Sequence, residues 1–326
     1  MVLRALPISK WMAERSDQCG NAGVRGVVLV AVAVACVVAM THLPDLEAAI
    51  IRAIPAAPAS GAATPSSPPG TSPAAFGASS SVATASGTCV SYPALGATSG
   101  KSVFIDAGHG GPDPGVIGDA NGAPLMEKTV TLAVAKRVAG LLQNDGYRVV
   151  MSRTGDSSVV ANLPSDGSLS ADDIRRDLLA RIACANRAAA DLLISIHFNG
   201  VDDSSVAGSE TFYDAVRQFA ANNHRLAIDL ERSITEAIGS ANLGIWPDDE
   251  NVGPALSPAG SVYGHLIVLG PPSPGYVDAP SQMPGALVEP LFLSNPGDAR
   301  QAADPHTQQL IATAIDSGVR AYFAGS

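Results

Sequence analysis

The segment VFIDAGHGG, residues 103–111, joins a short apolar run to a histidine that lies between glycines. Its apolar start predicts a buried strand over residues 103–106, which ends among glycines that flank one histidine. Glycine has no side chain, so the backbone here lies open to close approach. His109 is therefore either part of an ordinary turn or the neighbour of a metal ion or substrate that needs access.

Strand and helix patterns alternate along the chain that follows. Apolar residues at helical spacing and capping signals predict helices over residues 127–144, 170–190, 215–238 and 304–323. Short apolar runs predict further strands over residues 147–151, 192–196, 210–213, 266–269 and 286–288. Alternating strands and helices predict a three-layer α/β fold, in which a largely parallel, twisted sheet has helices on both faces.

Three side chains capable of chemistry follow predicted strands. His197 and Glu289 come directly after apolar runs, His109 follows VFIDAG, and Glu127 opens the first helix. In open α/β sheets, ligands bind beyond the carboxyl ends of the strands. The fold therefore predicts that these four residues meet at one edge of the sheet.

Two imidazoles and one carboxylate suit a catalytic zinc ion that keeps one position open for water. A second carboxylate can then accept the proton of that water. The residues alone leave open which glutamate binds the metal. Three of the four residues also have an ordinary structural interpretation. His197 could be a buried hydrogen-bonding residue, Glu127 a charge at a helix N-terminus, and Glu289 an ion-pair partner. The other histidines, His42, His224, His265 and His306, are predicted to be structural, exposed or part of the N-terminal segment.

The N-terminal segment, residues 1–52, is predicted to direct export. Residues 27–40 are entirely apolar, and the basic residues Arg4, Lys10, Arg15 and Arg25 precede them. This length suits the core of a signal peptide, and an uncleaved anchor that tethers the protein to the membrane is the alternative. In either case the domain that follows is expected outside the cytoplasm.

A change in composition separates this segment from the domain. Residues 53–100 contain no Asp, Glu, Lys or Arg and are mostly small residues and proline. We expect a disordered linker over residues 53–88 and one domain over residues 89–326. Cys89 and Cys184 are the two cysteines of that domain, and the sequence favours a disulfide and two free thiols about equally.

The net charge of −10 argues against binding to nucleic acid, and we expect a monomer. Residues 244–285 form a long connection rich in proline and glycine, with Trp246, Tyr263 and Tyr276. We interpret this segment either as a lid or wall of the binding site or as an insertion without a role.

Several segments resemble the zinc-dependent N-acetylmuramoyl-L-alanine amidases of type 3. In chain order they are DAGHGGPDPGVIG, EKTVTLAVAKRVAGLLQNDGYRVVMSRTGD, LLARIACANRAAADLLISIHFNG, GSETFY and ALVEPLFLSNPGDAR. The resemblance covers essentially the whole predicted domain. It implies a three-layer α/β fold, one Zn²⁺ ion, and hydrolysis of the amide between the lactyl group of N-acetylmuramic acid and L-alanine in peptidoglycan.

The resemblance also assigns roles to the four residues. It implies that His109, Glu127 and His197 bind the zinc ion and that Glu289 is catalytic. Two positions depart from the family pattern: Phe198 follows the second histidine, and Pro290 follows the catalytic glutamate. The alternatives are a zinc peptidase that cleaves the stem peptide, and a catalytically silent module that binds peptidoglycan or regulates other wall enzymes.

Overall fold

An eight-stranded sheet organises the residues that this computed structural model describes, which are 78–84, 87–164, 169–249 and 263–325. Its strands are β1 Ser80–Ala83, β2 Thr88–Tyr92, β3 Ser102–Ala107, β6 Arg148–Met151, β7 Leu192–Ile196, β8 Ser209–Tyr213, β9 Asn242–Pro247 and β10 Gly285–Glu289. A separate hairpin consists of β4 Ile117–Ala120 and β5 Ala123–Met126. The helices are α1 Glu127–Asn144, α2 Ala171–Arg187, α3 Ala220–Ile238, α4 Pro296–Ala303 and α5 Pro305–Ala324.

The strands lie in the order β1-β2-β6-β3-β7-β10-β8-β9. The central strands β6, β3, β7 and β10 are parallel, so their carboxyl ends share one edge. Strand β8 is antiparallel to β10 and parallel to β9, so the carboxyl ends of β8 and β9 lie at the opposite edge. The predicted α/β fold with a largely parallel sheet is confirmed.

The two faces of the sheet build two apolar clusters. Val103 and Ile105 of β3 point to the face that α1, α3 and α5 cover, where the larger cluster lies. Phe104 points to the other face, which helix α2 covers through residues such as Ala180 and Cys184. Alternate residues of a strand point to opposite faces, and a central parallel strand buries both. Helices on both faces complete the three layers.

Most of the predicted helix ends agree with those in the structure. Helix α1 buries Val130, Val134, Val138 and Leu142, the stripe expected from their spacing. At the start of α2, the Ser170 hydroxyl accepts a hydrogen bond from the Asp173 N–H, and the Asp173 carboxylate accepts one from the Ser170 N–H. Asp304 caps α5 ahead of a proline at its first turn. These capping residues explain why α2 and α5 begin within a residue of the predicted positions.

Two predicted elements are wrong in extent or type. The helix predicted from residue 215 begins at Ala220, because the Asp214 carboxylate accepts hydrogen bonds from the N–H groups of Val216 and Arg217 and holds a turn there. The strand predicted over residues 266–269 is a turn, in which the Leu266 carbonyl accepts from the N–H groups of Leu269 and Gly270. Four apolar residues indicate burial, and they do not fix the type of element.

An edge strand precedes residue 89, where the predicted domain begins. Strand β1 lies inside the predicted linker and pairs with β2, Val82 opposite Cys89. Its residues are small and mostly exposed, so no hydrophobic pattern marked the strand, which backbone hydrogen bonds hold at the sheet edge. Residues 1–77, with the predicted export segment and the rest of the linker, lie outside the described residues. Within the described part of the chain, no helix is long and apolar enough to cross a membrane.

The described part of the connection between β9 and β10 packs against helix α2. Tyr263, Ile267, Tyr276 and Val277 are buried and form a third apolar cluster with Ile182. Residues 250–262 lie outside the described part. The described part of this connection is therefore packed into the domain.

Cys89 and Cys184 form a disulfide, with a sulfur–sulfur distance of 2.09 Å and a Cα–Cα distance of 6.1 Å. The bond joins strand β2 near the sheet edge to helix α2. This decides between the two alternatives that the sequence left open. A disulfide between residues 95 positions apart strongly reduces the conformational freedom of the unfolded chain.

Removing this disulfide is expected to destabilise the domain. The Cys89→Ala/Cys184→Ala protein should lose ~2–4 kcal/mol of unfolding free energy, because its unfolded chain regains the freedom of a long loop. Chemical denaturation of the variant and the wild type measures the difference. Dithiothreitol should lower the midpoint of the wild type and leave that of the variant unchanged. Equal midpoints for the oxidised wild type and the variant would show that the bond contributes nothing.

Candidate metal centre and active site

The strand register brings the predicted site residues to one edge of the sheet. Ala107 of β3 lies opposite Ile196 of β7, and Ile196 lies opposite Val288 of β10. His109, His197 and Glu289 follow or end these strands and therefore share the carboxyl edge, as the topology predicted. Glu127 reaches the same edge as the first residue of α1, immediately after the β4–β5 hairpin.

The potential ligand atoms of His109, Glu127 and His197 lie within 4.8 Å of one another. Oε2 of Glu127 is 3.0 Å from Nε2 of His109, and its Oε1 is 3.0 Å from Nδ1 of His197. The two imidazole nitrogens are 3.2 Å apart. Two imidazole nitrogens and a carboxylate converging in this way fit a zinc ion with a position left for water.

Backbone groups hold the Glu127 carboxylate in place. The Phe198 N–H donates to Oε1 at 3.0 Å, and the Val116 N–H donates to Oε2 at 2.9 Å. The side chain is 3% exposed, so an unsatisfied charge there would be costly. Burial raises the pKa of Glu127, but the nearby imidazoles outweigh that effect and hold the pKa well below its usual range. The carboxylate is thus ionised and ready to bind a cation.

His109 is fixed by its backbone and by Asp113. Its φ of 59° lies in the left-handed region, which is uncommon for a residue other than glycine and often marks a functional position. The Asp113 carboxylate is 2.8 Å from Nδ1, which leaves Nε2 to face Glu127. Burial lowers the pKa of His109, but the Glu127 and Asp113 carboxylates outweigh it and raise the pKa to about 10. Asp113 therefore orients the ring in the way that carboxylates orient metal-binding histidines.

Two glycines allow the close packing of these side chains. A Cβ on Gly108 would lie 2.5 Å from the His197 ring. A Cβ on Gly115 would lie 2.5 Å from Oε2 of Glu127, and its φ of 66° also favours glycine. The glycines around His109 thus leave room for the other potential ligands. This favours His109 as a neighbour of a metal ion over its role in an ordinary turn.

A buried arginine supports the loop that carries His109. Arg181 of α2 donates to the His109 carbonyl at 2.7 Å and pairs with Asp106 at 2.8 Å and with Asp177 at 2.7 Å. Its side chain is 2% exposed. Removing one partner of such a buried pair typically costs 3–5 kcal/mol, because the other charge is left uncompensated. This network ties helix α2 to the end of strand β3.

Glu289 ends strand β10 beside this group. Burial and the Glu127 and Glu210 carboxylates raise the pKa of Glu289 well above its usual range, although His109 acts in the opposite direction. Within the described part of the chain, its Oε2 is buried and has no hydrogen-bond partner. An oxygen in this state can exchange a proton with a molecule that enters the site.

A cavity of about 130 Å³ lies next to the two histidines. Its polar lining includes His109, Asp113 and Arg181. Its apolar lining combines residues from around α2 with three residues of the β9–β10 connection, Leu266, Ile267 and Val268. The connection therefore forms one wall of a pocket beside the candidate centre.

The family model of N-acetylmuramoyl-L-alanine amidase (Amidase_3) matches residues 103–321. The chain belongs to this amidase family. LytC of Bacillus subtilis is 32% identical over 224 residues, which cover 69% of this chain and 36% of LytC. The germination-specific N-acetylmuramoyl-L-alanine amidase of the same organism is 31% identical over 226 residues, which cover 69% of this chain and 81% of the relative.

A solved relative has the same fold. The N-acetylmuramoyl-L-alanine amidase AmiC2 of Nostoc punctiforme superposes with a TM-score of 0.50 and 27% sequence identity. The match covers 70% of this chain and 99% of AmiC2. The fold described above is thus that of an amidase domain.

The two departures from the family pattern are accommodated in this amidase domain. Phe198 is buried in the larger apolar cluster, and its backbone N–H holds Glu127. Pro290 follows the last residue of β10, where the ladder with β8 ends in the pair Glu289–Glu210, so the missing N–H interrupts no strand pairing.

Sequence reasoning missed the residues that support the ligands in this family member. Asp113 stands four residues after His109, in a loop whose conformation no periodicity predicts. Arg181 lies within an otherwise apolar stretch of α2, and a charge on a buried helix face was the signal that could have found it.

Asp113→Ala is expected to weaken zinc binding by ~10–100-fold, the usual cost of losing an outer partner of a metal-binding histidine. The mutation removes the hydrogen bond that orients His109 and leaves all three candidate ligands in place. Competition with a zinc-sensitive dye measures the affinity. Asp202→Ala, at an exposed position, is the control and should bind as the wild type does. Equal affinities for both variants would remove Asp113 from the site.

Proposed function

We propose that this protein is an exported zinc amidase that hydrolyses the amide between the lactyl group of N-acetylmuramic acid and L-alanine in peptidoglycan. The observation that carries the proposal is the convergence of His109, Glu127 and His197 within 4.8 Å, with Glu289 at the same edge. Membership of the amidase family supports the choice of substrate.

The three ligands in this proposal are Nε2 of His109, Nδ1 of His197 and the Glu127 carboxylate. Zinc bound there would polarise the substrate carbonyl and lower the pKa of a water molecule towards ~7. Asp113 and the N–H groups of Val116 and Phe198 would hold the ligands in position, so little rearrangement is needed when the ion binds.

Glu289 moves the proton in this reaction. Its carboxylate accepts a proton from the attacking water, whose oxygen forms a bond to the lactyl carbonyl carbon. As the carbon–nitrogen bond breaks, Glu289 donates that proton to the departing amino group of L-alanine. The products are a lactyl carboxylic acid and a free stem peptide. The unpartnered Oε2 of Glu289, at the same edge as the two histidines, supports this role.

The cavity beside the histidines is the candidate position for part of the substrate. Its apolar wall suits aliphatic groups, and Arg181 lies at its polar side. We assign the cavity to the residues next to the scissile amide, because it shares His109 and His197 with the metal centre.

The site of action follows from the substrate, since peptidoglycan lies outside the cytoplasm. The Cys89–Cys184 disulfide supports an oxidising compartment. The apolar residues 27–40 would direct export, either as a cleaved signal or as an anchor, and they lie outside the described residues.

Mass analysis of fragments from purified muropeptides tests the proposal. The full-length protein should release intact stem peptides that begin with L-alanine, and a zinc chelator should stop the release. Shortened stem peptides still attached to the sugar would instead identify a stem-peptide peptidase. Binding of muropeptides without any cleavage, at any zinc concentration, would identify a catalytically silent module.

A further inference from the structure

A second group of metal-binding side chains lies at the opposite edge of the sheet. Asp214 follows β8 and Asp248 follows β9, and the two strands are parallel, with the Asp248 N–H donating to the Tyr213 carbonyl at 2.9 Å. His265 joins them from the β9–β10 connection. Because β8 is antiparallel to β10, this group and Glu289 lie at opposite ends of the β8–β10 pair. It is therefore separate from the candidate active site.

The three side chains are close and deeply placed. Oδ1 of Asp248 is 3.0 Å from Nδ1 of His265, and Oδ2 of Asp214 is 3.8 Å from the same nitrogen. Potential ligand atoms of all three lie within 4.8 Å of one another. Both aspartates are 0% exposed, and the His265 side chain is 17% exposed.

Each carboxylate uses one oxygen to bind the backbone and turns the other to His265. Oδ1 of Asp214 accepts from the N–H groups of Val216 and Arg217, and Oδ2 of Asp248 accepts from the Leu266 N–H. Oδ2 of Asp214 is buried and has no hydrogen-bond partner among the described residues. A buried carboxylate oxygen without a partner is costly, so it indicates a ligand at this position.

The nearby positive charge is directed elsewhere. Arg217 lies close enough for Asp214 and Asp248 to raise its pKa, although burial, the larger effect, lowers it. Its Nη1 donates to the Leu269 carbonyl at 2.7 Å and to the Ser281 hydroxyl at 2.6 Å. The hydrogen bonds of Nη1 thus go to groups other than the two buried carboxylates, and a divalent cation between the carboxylates would supply positive charge there.

We propose that Asp214, Asp248 and His265 bind a second divalent cation, with zinc as the ion that suits them best. The donors are Oδ2 of Asp214, Oδ1 of Asp248 and Nδ1 of His265. Two carboxylate oxygens with one imidazole nitrogen fit zinc, whereas calcium prefers six to eight oxygen ligands. Binding would replace the direct contact of 3.0 Å between Nδ1 of His265 and Oδ1 of Asp248.

This cation has a structural role. It joins the ends of two strands to the β9–β10 connection, directly before the residues Leu266, Ile267 and Val268 that line the cavity at the other edge. Binding at the second site would therefore hold the wall of the substrate pocket in place. The second site rests on its own geometry and does not depend on the proposed function.

Zinc content measures the second site directly. The full-length wild type, loaded with zinc and freed of excess by gel filtration, should hold two zinc ions per chain. Asp214→Asn and His265→Gln should each hold one. The matched control is Asp249→Asn, because this exposed neighbour of Asp248 lies outside the site, and it should hold two. One ion in the wild type, with one retained in Asp214→Asn, would overturn the proposal.

A second measurement tests the second site even if the aspartate variant fails to fold. In the His109→Ala/His197→Ala protein, which lacks two ligands of the candidate active site, isothermal titration should find one zinc ion bound and thermal melting should show a higher Tm. Adding His265→Gln should remove both effects. Calcium at the same concentration should leave Tm unchanged. No zinc binding by the double variant, or a response to calcium alone, would refute the second zinc site.

Discussion

Glu289→Gln should lower the rate of amide hydrolysis by roughly 10²–10⁴-fold and leave zinc binding at the candidate active site intact. Glutamine keeps the size of the side chain and cannot accept the proton of the attacking water. Glu289 ends its own strand, whereas Glu127 has its two oxygens against the two histidines. The rate of release of stem peptides from muropeptides and the zinc content of the same sample give both quantities.

The comparison that makes this result specific is Glu236→Gln, an exposed carboxylate on α3 that should behave as the wild type. Glu127→Ala should show the opposite pattern to Glu289→Gln: zinc affinity falls first, and excess zinc restores part of the activity. Loss of the metal with Glu289 and its retention with Glu127 would exchange the two roles. Full activity in Glu289→Gln would remove this residue from the mechanism.

His197→Ala should abolish binding of zinc at the candidate active site and activity with it. The mutation removes one of three ligands, so the loss should exceed the ~10–100-fold that the loss of an outer partner costs. It also leaves the Glu127 carboxylate beside one imidazole instead of two. Zinc affinity and hydrolysis at saturating zinc are the two measurements.

A histidine distant from the site provides the control for this variant. His306 is exposed at the start of α5, and His306→Ala should retain wild-type affinity and rate. Circular dichroism spectra should agree among the three proteins, which shows that the fold is kept. Zinc bound by His197→Ala with wild-type affinity at the candidate active site would mean that the three residues do not form the metal centre.

The sequence predicted the meeting of His109, His197 and Glu289 because that meeting depends on topology. Residues that follow neighbouring parallel strands must share an edge, wherever the helices between them end. The sequence did not predict strand β1, whose small residues carry no apolar alternation, or the turn at residues 266–269, where burial alone marked the segment. Strand β1 is held by backbone pairing with the adjacent strand β2, and the turn is held by the Leu266 carbonyl, and neither needs an apolar periodicity.

The residues that support the metal ligands could be found only in the folded chain. Asp113 reaches His109 only through the left-handed backbone at His109, and Arg181 meets Asp106 across two layers of the fold. His265 had no metal-binding partner in the sequence pattern. Asp214 and Asp248 can be recognised as its neighbours only from the sheet topology, because β8 and β9 are parallel to each other and β8 is antiparallel to β10.

Hydrolysis of a purified muropeptide in water enriched in oxygen-18, followed by mass spectrometry, identifies the bond that the protein cleaves. Zinc-dependent cleavage between the lactyl group and L-alanine predicts one labelled oxygen in the lactyl carboxylate, an unlabelled peptide that begins with L-alanine, and no labelled product from Glu289→Gln on the same time scale. Label in a carboxylate of the stem peptide, with the lactyl amide intact, would contradict the proposed amidase activity.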